Sequence, residues 1–261
     1  MTINANNTVR ELAVAMPGAT CVFEELGIDY CCGGNRSLTD ACQAAQVSVE
    51  EVLFSLEQAN QSALANEQAT DWQTEPLAAL ASYIVETHHI FTKQELARLE
   101  QLLNKVFSVH GQNHPELLRL QALFQTLSQE LTPHMLKEEQ VLFPYINRLE
   151  EAVSEKRPVP PPFFGTVRNP VRMMMLEHET AGEVLREMRM VTNNYTVPQD
   201  VCISYQTLYQ ALAALEEDLH QHIHLENNIL FPRAQEMEGT ARPEWQNAVQ
   251  ENQEHRCFGH P

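Results

Sequence analysis

Pro133-His134-Met135-Leu136-Lys137-Glu138-Glu139-Gln140-Val141-Leu142-Phe143-Pro144 returns later in the chain as Gln221-His222-Ile223-His224-Leu225-Glu226-Asn227-Asn228-Ile229-Leu230-Phe231-Pro232. Each copy sets a Glu four residues after a His, and the Leu-Phe-Pro endings fall in the same phase. On a helix that spacing puts both side chains on one face, a turn apart. Histidines further upstream keep the same register: His89 precedes His134 by 45 residues and His178 precedes His222 by 44. The pattern predicts an internally duplicated pair of long helices.

Four such helices with inward His and Glu at matching positions describe an all-α bundle that holds two metal ions. One helix of each half supplies a single imidazole, His89 or His178, and its partner supplies the His-x-x-x-Glu pair: His134 with Glu138, His222 with Glu226. Four imidazoles and two carboxylates are a borderline-to-hard donor set that suits iron or manganese and accepts zinc. In this reading the two glutamates bridge both ions and an oxo or hydroxo group completes the centre, leaving open positions for a small molecule. Periodicity alone does not separate His88 from His89, although the duplication spacing favours His89. Glu139 and Glu177 are candidate acceptors for the far ring N–H of a ligand histidine. His220 and His224 flank His222 on other faces, and His110 and His114 read as surface or capping residues.

The helices around these positions follow from apolar spacing. The first is expected from Pro76 to about Val109 through Leu77, Leu80, Ile84, Leu96, Leu99 and Leu103, and the second from Pro115 into the first repeat. Pro133 lies inside that second helix and predicts a kink or a local unwinding. Pro158, Pro160, Pro161 and Pro162, followed by Phe163 and Phe164, mark a crossover between the halves. The third helix opens near Pro170, with Met174, Met175 and Met188 as core filler. The fourth is expected over residues 199–235. The sequence thus divides into a small helical unit over 1–60, a linker over 61–75, the bundle over 76–236 and a polar, fraying tail over 237–261.

The N-terminal unit opens at Thr8-Val9-Arg10-Glu11, which has capping-box spacing. After a break at Pro17-Gly18, a second short helix stops at Gly27, and further helices follow Ser37 and Ser48. Between them Tyr30-Cys31-Cys32-Gly33-Gly34 presents adjacent thiols on a turn. Adjacent Cα atoms sit about 3.8 Å apart, too close for an unstrained disulfide. The pair therefore reads either as two small buried hydrophobes or as a reactive thiol that carries metal or sulfur, with Cys21 and Cys42 as possible neighbours. Cys202 and Cys257 read as incidental. About 60 residues are marginal as an independent fold, so the unit is expected to dock on a partner or a second subunit.

Seventeen Lys and Arg against 35 Asp and Glu give a formal net charge of -18, which argues against nucleic acid or anionic lipid as a partner. Solubility and self-repulsion account for most of that charge. The sequence has neither an export signal nor a run of roughly 18 apolar residues, so no membrane association is expected. Six cysteines thinly spread over 261 residues fit a reducing compartment.

Taken together, GIDYCCGG, HMLKEEQVLFP, LEHE followed by Ala181-Gly182-Glu183, and HLENNILFPRA make the chain resemble the Ric/YtfE/ScdA family of di-iron iron-sulfur cluster repair proteins over about residues 8–236. The resemblance implies a haemerythrin-like four-helix bundle with a small N-terminal cysteine domain, and iron ligands at His89, His134, Glu138, His178, His222 and Glu226. It implies a cytoplasmic protein that restores clusters damaged by nitrosative or oxidative stress by iron donation, with Cys31 or Cys32 as the working thiol, and it allows a homodimer. Damaged iron-sulfur proteins are the partners it implies. A di-iron nitric oxide reductase, or a sensor of nitric oxide or dioxygen, is the alternative. An iron-storage ferroxidase would use more carboxylates, and an adaptor bundle would hold no metal.

Overall fold

The computed structural model describes residues 3–16, 18–64, 70–159 and 161–241; Pro17, Pro160, Cys257 and the rest of 242–261 lie outside the described residues. Among the described residues every named element is helical, and the one β contact is an isolated bridge between Thr8 and Ser37. Four short helices come first: α1 (Val9–Ala15), α2 (Ala19–Glu25), α3 (Leu38–Ala45) and α4 (Val49–Leu64). Thr8 and Glu11 close the reciprocal capping box that their spacing foretells. Gly27 ends the second helix at φ 66°, a left-handed position that suits glycine. Nothing between Val49 and Leu64 breaks a helix, so α4 runs into the stretch read as linker.

The bundle follows as α5 (Leu77–Tyr83) continuing through a wide π-helical turn, Ile84–His89, into α6 (Ile90–His110). Helix α7 (Glu116–Lys137) passes through a second wide turn, Glu138–Leu142, into α8 (Phe143–Ser154). After the crossover come α9 (Arg168–Val191) and α10 (Ile203–His224). A third wide turn, Leu225–Leu230, then leads to a helical stretch over residues 231–241. The fourth helix therefore starts later and ends later than expected. Glu238, placed by sequence in the tail, is buried and accepts hydrogen bonds from Tyr145 Oη at 2.7 Å, Thr166 Oγ1 at 2.5 Å and Val167 N at 3.0 Å.

The wide turns have a local cause in two of the three cases. Proline lacks an N–H, and its ring meets the carbonyl four residues back. Pro144 faces Gln140 and Pro232 faces Asn228, both inside a wide turn. The chain accommodates each proline by opening the turn, with Phe143 N–H donating to the Glu138 carbonyl and Phe231 N–H to that of Glu226. Pro133 does not unwind its helix: α7 runs through it, and the departure from α geometry comes five residues later. No proline accounts for Ile84–His89.

All four long rods cross between two apolar clusters. Leu96, Leu131, Leu185 and Leu219 belong to one and Ile84, Leu142, Met174 and Leu230 to the other. The histidines and glutamates of the repeat occupy the level between them. A third cluster holds the N-terminal unit together through Leu12, Phe23, Leu38 and Leu56, and it includes Ile223 of α10. The unit docks on the bundle of its own chain, so neither a partner nor a second copy is needed to cover it. Burying a side chain such as Ile223 contributes about 2 kcal/mol to that contact.

Candidate metal centre

His89, His134, Glu138, His178, His222 and Glu226 are all buried, and their donor atoms gather into two overlapping groups in which every atom lies within 4.8 Å of the others. One group is His89, His222, Glu138 and Glu226; the other is His134, His178, Glu138 and Glu226. Each group draws one imidazole from each half of the duplication, so the halves interleave rather than each closing its own site. His89 Nε2 and His222 Nε2 are 3.1 Å apart, and His134 Nε2 and His178 Nε2 are 3.0 Å apart. The two oxygens of Glu226 divide between the groups, Oε1 at 3.0 Å from His222 and Oε2 at 3.2 Å from His178. Glu138 Oε2 lies 3.3 Å from His134 and 3.5 Å from His89.

The outward ring nitrogens explain which way the imidazoles face. His89 Nδ1 meets Glu139 at 2.7 Å, His134 Nδ1 meets Glu177 at 2.8 Å, and His178 Nδ1 meets Asn227 Oδ1 at 2.9 Å. An Nδ1–H that donates outward leaves Nε2 with its lone pair aimed inward. Lys93 and Lys137 anchor the two carboxylates. The His134 hydrogen bond, helped by Lys137 against partial burial, holds Glu177 down at about 2. Glu139 is lowered as well: partial burial opposes this, and Lys93 and His89 outweigh it. Burial and the neighbouring His222 depress His89 to about 4, and burial lowers His134, so both rings are neutral donors at pH 7.

This arrangement fits a pair of cations. Inward lone pairs 3.0 Å apart on His134 and His178 repel unless a positive charge lies between them. Both oxygens of Glu138 are buried without a hydrogen-bond partner, as is Oε2 of Glu226. Burial, reinforced by Glu226, pushes Glu138 well above the usual carboxylate range. At Glu226 burial is outweighed by His222 and His178, and its carboxyl is held well below that range. A carboxylate buried without compensation costs several kcal/mol. Metal coordination removes that cost and uses the donor set as it stands.

His88 lies outside both groups. Its Nδ1 meets Asp218 at 2.9 Å and its ring stacks on that of His222 at 5.8 Å, so the residue beside His89 packs against a ligand candidate without joining the centre. His220 pairs with Glu24 and His224 with Asn228. His114, read as a surface residue, is buried against Glu116, and His110 Nε2 lies 3.1 Å from the exposed Cys202 thiol at the start of α10.

The paired thiols lie against the backbone of α9 at His178. Cys31 is buried and Cys32 half-buried, with their sulfurs 3.8 Å apart, and Cys32 Sγ is 3.6 Å from the His178 carbonyl. Cys31, Cys32 and Asp29 form a third group able to hold a cation; Cys21 and Cys42 are not part of it. Burial and the neighbouring Cys32 push the Cys31 thiol up, the Cys32 hydrogen bond most of all. Asn227 and Asn228 bind the loop through Nδ2 donors to the carbonyls of Cys31, at 3.2 Å, and Tyr30, at 2.9 Å. Arg10 donates to the Asn228 carbonyl at 3.2 Å, the oxygen for which Pro232 has no N–H. These three residues were not singled out from the sequence. The duplication held the signal for one of them: Asn227 follows Glu226 as Glu139 follows Glu138, and each accepts from the upstream histidine of its own half.

The family model for the hemerythrin HHE cation binding domain matches residues 80–234, and the ScdA_N model, described as a domain of unknown function, matches residues 5–60. The chain is 35% identical to a probable iron-sulfur cluster repair protein of Haemophilus influenzae, over 88% of this chain and 96% of that protein. It is 34% identical to the iron-sulfur cluster repair protein YtfE of Yersinia pseudotuberculosis, and equally to that of Yersinia pestis, with the same coverage. The chain belongs to the Ric/YtfE/ScdA family. In this member the two family models leave residues 61–79 between them, and Trp72 in that interval packs on Tyr83 with ring centroids 4.7 Å apart. No described helix of this family member is long and apolar enough to cross a membrane.

Proposed function

We propose that the chain is a di-iron protein that repairs damaged iron-sulfur clusters by donating iron. The observation that carries the reading is the fully buried Glu138 carboxylate, without a hydrogen bond, facing inward imidazole nitrogens. His89 and His222 would hold one ion and His134 and His178 the other, with Glu138 and Glu226 shared between them. Bound iron supplies Lewis acidity, one-electron chemistry and the metal that a damaged cluster lacks. Glu139, Glu177 and Asn227 keep the imidazoles aimed, and the apolar clusters on either side limit water at the site.

Cys31, Cys32 and Asp29 offer a softer donor set at the edge of the chamber, where departing iron would be handed to a recipient. The names of the relatives support cluster repair, and damaged iron-sulfur proteins are the partners the reading assigns. We place this work in the cytoplasm, in one or two copies of the chain, with nitric oxide or dioxygen as the small molecule the centre meets.

The test is iron counting on anaerobically loaded protein, followed by transfer to a cluster protein damaged by nitric oxide. Two ions per chain are expected in the wild type, and one or none in His134→Ala and Glu226→Ala. The Cys31→Ser/Cys32→Ser double variant is expected to keep its iron and lose most of its transfer. Unchanged transfer in that variant would remove the thiols from the account.

A further inference from the structure

Three consecutive residues of the last wide turn do three different things. Glu226 enters both candidate metal groups, Asn227 accepts from His178 Nδ1 at 2.9 Å and donates to the Cys31 carbonyl at 3.2 Å, and Asn228 donates to the Tyr30 carbonyl at 2.9 Å. Asn227 is buried. Its amide links the thiol loop to the chamber: one side chain touches a candidate ligand with its oxygen and the loop backbone with its nitrogen. Cys32 Sγ adds a contact from the loop to α9 at the His178 carbonyl, 3.6 Å away.

The equivalent posts elsewhere in the centre are filled differently. Glu139 and Glu177 orient His89 and His134 with carboxylates, which only accept, and each is backed by a lysine. At Asn227 a carboxylate would serve His178 equally well but would set a negative oxygen against the Cys31 carbonyl. The amide is the group that satisfies both neighbours, because it carries an acceptor and two donors. His178 is thus the one histidine of the four whose orientation is shared with the N-terminal unit.

We propose that Asn227 is a positioning residue that couples occupancy of the metal chamber to exposure of the Cys31-Cys32 loop. The inference rests on the metal reading given above and adds a direction to it. With iron on His178 the ring is fixed, Asn227 is fixed by the ring, and the loop is held closed over the chamber. When the ion leaves, His178 and Asn227 regain freedom and the loop loosens. By linkage, opening of the loop weakens hold on the ion nearest His178 by the same factor. A recipient that draws on the thiols would thereby promote release of the iron it is to receive.

The experiment uses the full chain under anaerobic conditions, iron-loaded and chelator-stripped, and follows alkylation of Cys32 by iodoacetamide with peptide mass spectrometry. Wild-type protein is expected to react about fivefold or more slowly when loaded, the lower end of common coupling strengths. Asn227→Asp keeps the acceptor for His178 and loses the donor to Cys31, so it is expected to bind iron while its loaded and stripped rates converge. Equal rates in loaded and stripped wild type would overturn the proposal, whatever the variant does. Protection that persists in Asn227→Asp would overturn it too, since iron would then shield the thiols directly. Should Asn227→Asp take up no iron, amide exchange of residues 28–36 in Asn227→Ser decides in its place: persisting iron-dependent protection contradicts the coupling, and its loss supports it. Failure of the wild type to bind iron at all is a separate result, which strikes the metal reading instead.

Discussion

Glu138 shows how a single residue decides between a structural and a chemical reading. A His four residues ahead of a Glu is common on exposed helices, and spacing alone could not say that this carboxylate has no hydrogen bond and no access to water. Replacing it by Gln removes the buried charge while leaving an amide that can donate to a facing imidazole. Glu138→Gln is therefore expected to lower bound iron to one ion or none and to leave the iron-free protein equally stable or about 1–2 kcal/mol more stable. Metal analysis and calorimetry check both halves; loss of iron-free stability would mean that Glu138 is held by something other than a metal. Far from the centre, the Cys202 thiol is pulled down to about 7 by its hydrogen bond to His110, helped by backbone N–H groups at the start of α10. Thiolate accumulates above the pKa, so alkylation of Cys202 is expected to be half-maximal near pH 7, and His110→Ala should move that point upward toward an ordinary thiol value. At this scale the six side chains that the structure gathers were legible because the repeat displays them twice. Arg10 was not, since nothing in sequence links it to a carbonyl 218 positions away.

The elements carry a different lesson. Apolar spacing placed all four long helices, but it has no symbol for a turn that is one residue too wide. Pro144 and Pro232 are the visible traces: each stands at the end of a repeat and forces the turn that contains a shared glutamate to open. Pro133, the more suspicious residue by position, leaves its helix intact. Pro232→Ala should let the last wide turn relax toward an α-helix, which stabilises the iron-free protein by about 1–3 kcal/mol and rotates Glu226 away from its place. A raised melting point together with a weaker iron titration is the expected pair of results; an unchanged iron affinity would show that the wide turn does not position Glu226. The end of the bundle was misjudged because Glu238 looks like an ordinary tail residue until its hydrogen bonds from Tyr145, Thr166 and Val167 are seen. Glu238→Ala strands those donors in a buried setting and is expected to cost about 3 kcal/mol in denaturant unfolding.

Over the whole molecule, the two halves cross, and the small unit is seated on the result. The sequence displays the duplication but not the exchange by which His89 joins His222 and His134 joins His178, because pairing between helices depends on packing that no local pattern records. It also pointed the small unit toward a partner or a second subunit, whereas Ile223, Asn227 and Asn228 seat it on the fourth helix of its own chain. Ile223→Asp puts a charge into that apolar contact; it is expected to cost about 3 kcal/mol and to make the buried Cys31 reactive toward alkylating agents in the otherwise folded protein. The most direct test of the account as a whole is the Mössbauer spectrum, with iron analysis, of anaerobically loaded protein. Two ions per chain, magnetically coupled through shared carboxylates, are predicted. A single ion, or two that behave independently, would contradict the shared chamber from which the rest of the account follows.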